Sequence, residues 1–221
     1  MKTKRIVLCG LGRVGKAFLG LAAERAEAVR SRYGLNIEVG GAVDIGGAAI
    51  AAVEGILNGT TNFILTKMSR EKVSYADALR EAQALGIAET DPALDVEGYD
   101  TRNKIVLIAN TLFAGSFGIG DVPVKGITGV TYDDIARGAK AGKALKLVAT
   151  ARATGGKVSL AVGPTYLDRS HPLAAVDFAE KGVTYTTDTM GQITVLGGKS
   201  SPVGAAAALL KDVIHTHLFG K

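Results

Sequence analysis

The chain has 221 residues, a single cysteine and a formal net charge of +5, with 47% hydrophobic and 21% charged residues. That balance predicts a globular fold of one or two domains with a sizeable core, and it excludes a disordered or fibrous chain. One cysteine excludes an intrachain disulfide and fits a reducing cytoplasm, and no apolar run approaches the roughly 18 residues that span a bilayer.

"KRIVLCG" (4–10) is a short β-rich run ending in glycine. Glycines follow it where a signal peptide would carry a cleavage site, so no leader is expected. "VGKAFLGLAAERAEAVRSRYG" (14–34) carries an apolar stripe at helical spacing and ends in Gly34, a natural terminator. "NIEVGGAVD" (36–44) reads as a second strand, which completes a strand, helix, strand unit. "AAVEGIL" (51–57) is strand-like, and "NGTTNFILTKM" (58–68) is a turn with capping side chains that opens a short helix. "SYADALREAQALG" (74–86) predicts a helix capped by Ser74 with Asp77 three residues on. "AETDPALDVEG" (88–98) reads as an acidic, turn-rich loop, and "YDTRNKIVLIANTLF" (99–113) as a strong helix.

Beyond it, "DVPVKGIT" is strand-like and "TYDDIARGAKAG" helical. "ALKLVATARATGGKVSLAVGPTYL" predicts two strands around Gly155 and Gly156. "HPLAAV" reads as a short helix, "VTYTTDTMGQITVLGG" as a hairpin turning at Gly191, and 201–218 as a final helix with Pro202 near its start. The locally basic "KAGKALK" (140–146) lacks aromatic interleaving and reads as a solvated face, so no nucleic-acid partner is expected. His215 and His217, two apart, diverge on a helix, and no metal site is expected.

Two constellations carry chemistry. "GLGRVG" places Gly10, Gly12 and Gly15 after a strand and at the opening of a helix, with Arg13 and Val14 inside the loop. In that setting the glycines permit a tight turn, close approach of a pyrophosphate to the backbone and close helix–strand packing; the alternative is a tight βα turn and nothing more. Asp44, at the end of the second strand, either holds ribose hydroxyls, which favours NAD over NADP, or is an ordinary turn aspartate. Arg13 could meet a phosphate, so NAD and NADP both stay open. The second constellation is "AETDPALDVEGYDTRNK", which gathers Glu89, Asp91, Asp95, Glu97, Asp100 and Lys104 around one helix start. One reading is structural: acids complement the helix dipole, and Asp100–Lys104 is an i,i+4 ion pair. The other is a polar pocket whose carboxylates grip an ammonium group while the lysine serves a carbonyl oxygen.

"EGILNGTTNFILTKM", "DALREAQALGIAETDPALDVEGYDTRNK", "HPLAAV" and "GGKSSPVGAAAALLKDVI" together resemble the homoserine dehydrogenase family, and "VLCGLGRVG" extends the resemblance to nearly the whole chain. The resemblance implies NAD(P)H-dependent reduction of aspartate semialdehyde to homoserine, in threonine and methionine biosynthesis, by a cytoplasmic homodimer. It implies catalytic Lys104 and Asp100, substrate contacts at Glu89, Asp95, Asn58, Gly59 and Thr60, and cofactor contacts at Gly10, Gly12, Arg13, Val14, Gly15 and Asp44. The fold implied is α/β: a truncated Rossmann-like βαβ unit over 1–50, then an α+β substrate and dimerisation domain over 51–221 with a mixed or antiparallel sheet. The final helix is expected to lean on the first unit.

In the family, several further βα units separate the second strand from the segment matching "EGILNGTT". They complete the nucleotide-binding sheet and supply an Asn-Lys pair whose lysine is a leading candidate for proton transfer, as well as a loop that holds a monovalent cation. Here Ile50 is followed almost directly by Glu54, so the resemblance implies an internally shortened chain. Two function classes therefore stand side by side: a dehydrogenase, and a non-catalytic relative that assembles with other subunits or binds an amino acid without turnover.

Overall fold

The computed structural model describes residues 2–9, 23–33, 35–43, 49–113, 115–197 and 210. Backbone contacts divide the chain into two units, Met1–Ile50 with Thr187–Gly191, and Ala51–Thr186 with Gln192–Lys221.

In the first unit, β1 (Lys2–Cys9) pairs in parallel with β2 (Leu35–Val43), and α1 (Ala26–Tyr33) lies between them in sequence. Parallel neighbours need a crossover connection, which the intervening residues supply. The register shifts between Ile6 and Val7, leaving Gly40 without a partner. The glycine loop residues Gly10, Gly12, Arg13, Val14 and Gly15, and Asp44, lie outside the described residues, as does the helix expected over 201–218 apart from Leu210.

The second unit holds a five-stranded sheet in the order β5-β4-β3-β6-β7. Its strands are β3 (Ile50–Ile56), β4 (Lys143–Thr154), β5 (Lys157–Asp168), β6 (Lys181–Thr187) and β7 (Gln192–Gly197). The β3–β4, β4–β5 and β6–β7 pairings are antiparallel, so the expected α/β fold with a sheet of this kind is observed. Both predicted hairpins form, one turning at Gly155 and Gly156 between the paired Thr154 and Lys157.

The helices of this unit are α2 (Gly59–Glu71), α3 (Tyr75–Ala84), α4 (Ala93–Val96), α5 (Tyr99–Leu112) and α6 (Tyr132–Lys140). α2, α5 and α6 contact β4. Ile64, Leu65 and Met68 of α2, Ile105 of α5, and Val53, Ile56 and Val148 of the sheet are fully buried and form the core with Leu173 and Val176. Ser74 caps α3 as expected, its hydroxyl accepting from the Asp77 amide. "HPLAAV" forms a single 3-10 turn over Pro172–Ala175.

Three expectations are corrected. "DVPVKGIT" is not a strand: it makes one isolated bridge, Val124 to Val162, because Pro123 has no N–H to extend a ladder. The acidic loop contains the helical turn α4, which is too short for any apolar period to announce. "KAGKALK" is not wholly solvated, since Lys146 on β4 is only 3% exposed. Its ammonium donates to Asn62 Oδ1 at 3.2 Å, to Asp177 Oδ1 at 3.2 Å and to the Val176 carbonyl, which uses all three of its donors.

Candidate functional site

Asn58 stands where β3 gives way to α2. It takes an extended backbone and caps the helix, its Oδ1 accepting from the Thr61 amide at 2.9 Å. Capping fixes the side chain and points its amide nitrogen the other way. Asn58 Nδ2 donates to Asp95 Oδ1 at 2.7 Å and to Asp100 Oδ2 at 2.8 Å. One capping residue therefore holds two carboxylates together that would otherwise repel each other.

Those carboxylates come from successive helices. Asp95 lies on α4 and Asp100 in the first turn of α5, and Gly98 links the two with φ of 83°. A side chain there would be strained by that φ, and its Cβ would come within 3.1 Å of Val124 Cγ1. Lys104 sits one turn beyond Asp100 and donates to Asp100 Oδ2 at 2.6 Å and to the Leu57 carbonyl at 3.1 Å. The predicted i,i+4 pair thus forms, and it is half-buried, not a free surface pair.

These groups line one cleft of about 480 Å³, together with Gly59, Thr60, Gly86, Ala179 and Lys181. Thr60 Oγ1 donates to the Ile87 carbonyl at 3.0 Å, which ties the α2 N-terminus to the opposite wall. The cleft therefore brings together Asn58, Gly59, Thr60, Asp95, Asp100 and Lys104 of the residues singled out from sequence. It does not bring in Glu89, which is exposed and lies outside the lining. Its backbone carbonyl accepts from Gln83 Nε2 at 3.1 Å. Asp91 serves the local turn, accepting from the Ala93 amide at 3.1 Å.

Lys181, the first residue of β6, was not singled out from sequence, although it lines the cleft. Burial pushes its pKa below the ordinary lysine value; the charge of Lys104 adds to that and Asp100 opposes it. No local motif marks this lysine, because contacts with residues far away in sequence bring it to the cleft.

Two carboxylates beside two ammonium groups can receive an ammonium and a negatively polarised oxygen in one cleft. A second cavity of about 270 Å³ is lined by Arg70, Lys143, Lys146, Arg169 and Asp177 among others. Its charges are largely spent internally: Arg70 and Lys146 both pair with Asp177, and Lys143 with Asp168. Burial pushes Lys146 below the ordinary lysine value, with Asp177 opposing it. Although burial raises the Asp177 carboxyl, its bonds to Arg70 and Lys146 hold it below the ordinary carboxylate value.

A family model described as homoserine dehydrogenase matches residues 42–214. The chain is 41% identical over 174 residues to the NAD(+)-dependent homoserine dehydrogenase of Pseudomonas canavaninivorans, covering 78% of this chain and 49% of that protein. It is 39% identical over 165 residues to the homoserine dehydrogenase of Bacillus subtilis, covering 75% of this chain and 38% of that protein. A crystal structure of the Staphylococcus aureus homoserine dehydrogenase superposes with a TM-score of 0.75 at 25% identity, covering 99% of this chain and 77% of that one. The chain thus spans about half or less of the length of the curated relatives it matches.

Proposed function

The chain belongs to the homoserine dehydrogenase family, and from that premise we propose that its cleft binds aspartate semialdehyde and homoserine for NAD(P)H-dependent interconversion. The observation that carries this reading is the bridging of Asp95 and Asp100 by Asn58 beside Lys104. In it, the substrate's ammonium group lies against the two carboxylates. Lys104 donates to the carbonyl oxygen, which gains negative charge as the carbon is reduced, and an oriented donor stabilises that charge more than it stabilises the ground state. Asp100 keeps the Lys104 ammonium aimed into the cleft. Glu89, outside the lining, carries no step.

NAD or NADP, named in the relatives' descriptions, would supply the hydride when bound. Its fit to this chain is incomplete. The described residues of the first unit form a two-stranded parallel sheet, and dinucleotides bind where strand order reverses, which two strands cannot offer. The chemistry assigned to this chain is accordingly that of the substrate cleft. The same two-stranded sheet favours a second reading, an amino-acid-binding or assembly relative without turnover. Under either reading the chain is proposed to be a cytoplasmic homodimer. Among the described residues no helix is long and apolar enough to cross a membrane.

The test is fluorescence titration of the full chain with NADH and with NADPH, followed by an assay with aspartate semialdehyde. Saturable binding with nucleotide oxidation supports the dehydrogenase. No binding at millimolar nucleotide, with homoserine still bound, selects the second reading.

A further inference from the structure

In the proposed substrate the ammonium group is matched by Asp95 and Asp100 and the reacting oxygen by Lys104. Its third polar group, the α-carboxylate, has no partner in that assignment. Lys181 is the other cation lining the cleft among the described residues, and with it the lining holds two carboxylates and two ammonium groups. That balance suits a zwitterion.

The position of Lys181 is built, not incidental. The segment 176–181 leading into β6 is fastened to one face of α2. Asn62 Nδ2 donates to the Val176 carbonyl at 3.1 Å and to the Glu180 carbonyl at 3.3 Å. The Phe178 amide donates to Thr66 Oγ1 at 3.1 Å, and Asn62 and Thr66 are one helical turn apart. Phe178 is held at φ of 51°, with its ring 6.1 Å from that of Phe63. Such a backbone persists in a residue with a side chain only where its surroundings over-determine it. At Gly59 an added Cβ would lie 2.9 Å from the Ala179 carbonyl oxygen, so the missing side chain lets the segment approach the start of α2. These contacts deliver Lys181 to the cleft on rigid elements, where Lys104 and Asp100 both act on its charge.

We propose that Lys181 anchors the α-carboxylate of the bound amino acid, and so sets the preference of the cleft for an α-amino acid over the amine that lacks the carboxylate. This rests on the amino-acid reading of the cleft. In that arrangement Lys181 contributes to binding and leaves the reduction to Lys104.

The experiment is calorimetric titration of the full chain with homoserine and with 3-aminopropan-1-ol, which keeps the ammonium and hydroxyl groups and lacks the carboxylate. The unaltered protein is expected to favour homoserine by at least about tenfold, the scale of one charge-assisted hydrogen bond. Lys181→Gln is expected to weaken homoserine by about that factor and to leave 3-aminopropan-1-ol within about twofold, removing the preference. Lys181→Arg is expected to retain most of it. Retained binding of the amine reports an intact cleft in each variant. The inference is overturned if the unaltered protein binds both ligands equally, if Lys181→Gln keeps the preference, or if it loses both ligands together. Binding of neither ligand by the unaltered protein fails earlier and overturns the amino-acid reading itself.

Discussion

At the scale of single residues, Lys104 and Asn58 do different work in one cleft. Lys104 is held by Asp100 and the Leu57 carbonyl, which leaves one donor for the carbonyl oxygen of the proposed reaction. Lys104→Ala is therefore expected to lower kcat on the order of 10²-fold or more, as loss of an oxyanion partner does; a change below twofold in steady-state assays would contradict the role. The acidic stretch made this pair legible from sequence, because Asp100 and Lys104 share a helix face. Its geometry was not legible. Seven charged residues within sixteen positions offer many pairings, and only the fold sends Asp95 and Asp100 to Asn58 while leaving Glu89 exposed. Lys181 was beyond the reach of any local pattern, since its place depends on β6 joining the sheet.

At the scale of elements, the helix starts were the most readable features, because a capping side chain lies within three residues of its partner. α6 opens with Thr131, whose hydroxyl accepts from the Asp134 amide at 3.2 Å, while Asp134 accepts from the Thr131 amide at 3.0 Å. That backbone bond first, and then the Thr131 hydroxyl, hold the Asp134 carboxyl below its ordinary pKa of 3.8. A carboxyl with a lowered folded pKa contributes stability that is present above 3.8 and lost as pH falls through the folded value. The stability difference between the unaltered protein and Asp134→Asn, followed by denaturant unfolding across that window, is expected to shrink as pH falls. A difference that stays constant would contradict the cap's role. Lys146 shows where an element's sequence misleads: a basic run suggests a wet face, yet this strand position is buried against Asn62 and Asp177. Lys146→Ala leaves those partners without their donor and is expected to cost about 3 kcal/mol in urea unfolding. A cost below about 1 kcal/mol would contradict that account.

At the scale of the whole molecule, the α/β fold and both hairpins could be read from strand-like runs and glycine turns, and the short passage from β2 to β3 could be read as an internal shortening, but not which of the two function classes it leaves. Val43 ends β2, and Ile50 begins β3, the strand at the centre of the five-stranded sheet. Little chain lies between them, and the described strands of the first unit number two. Membership of the family and possession of its full chemistry are therefore separate claims for this chain. The proposed substrate cleft does not depend on the first unit for the residues that line it, all of which fall within the second. The claim that this cleft is an amino-acid site is met most directly by titrating the full chain with homoserine and comparing it with an Asp95→Asn, Asp100→Asn double variant. Saturable binding that weakens by at least about tenfold in the variant is the predicted result, on the scale of hydrogen bonds to charged groups. The absence of saturable binding, or equal affinity in both proteins, would contradict it.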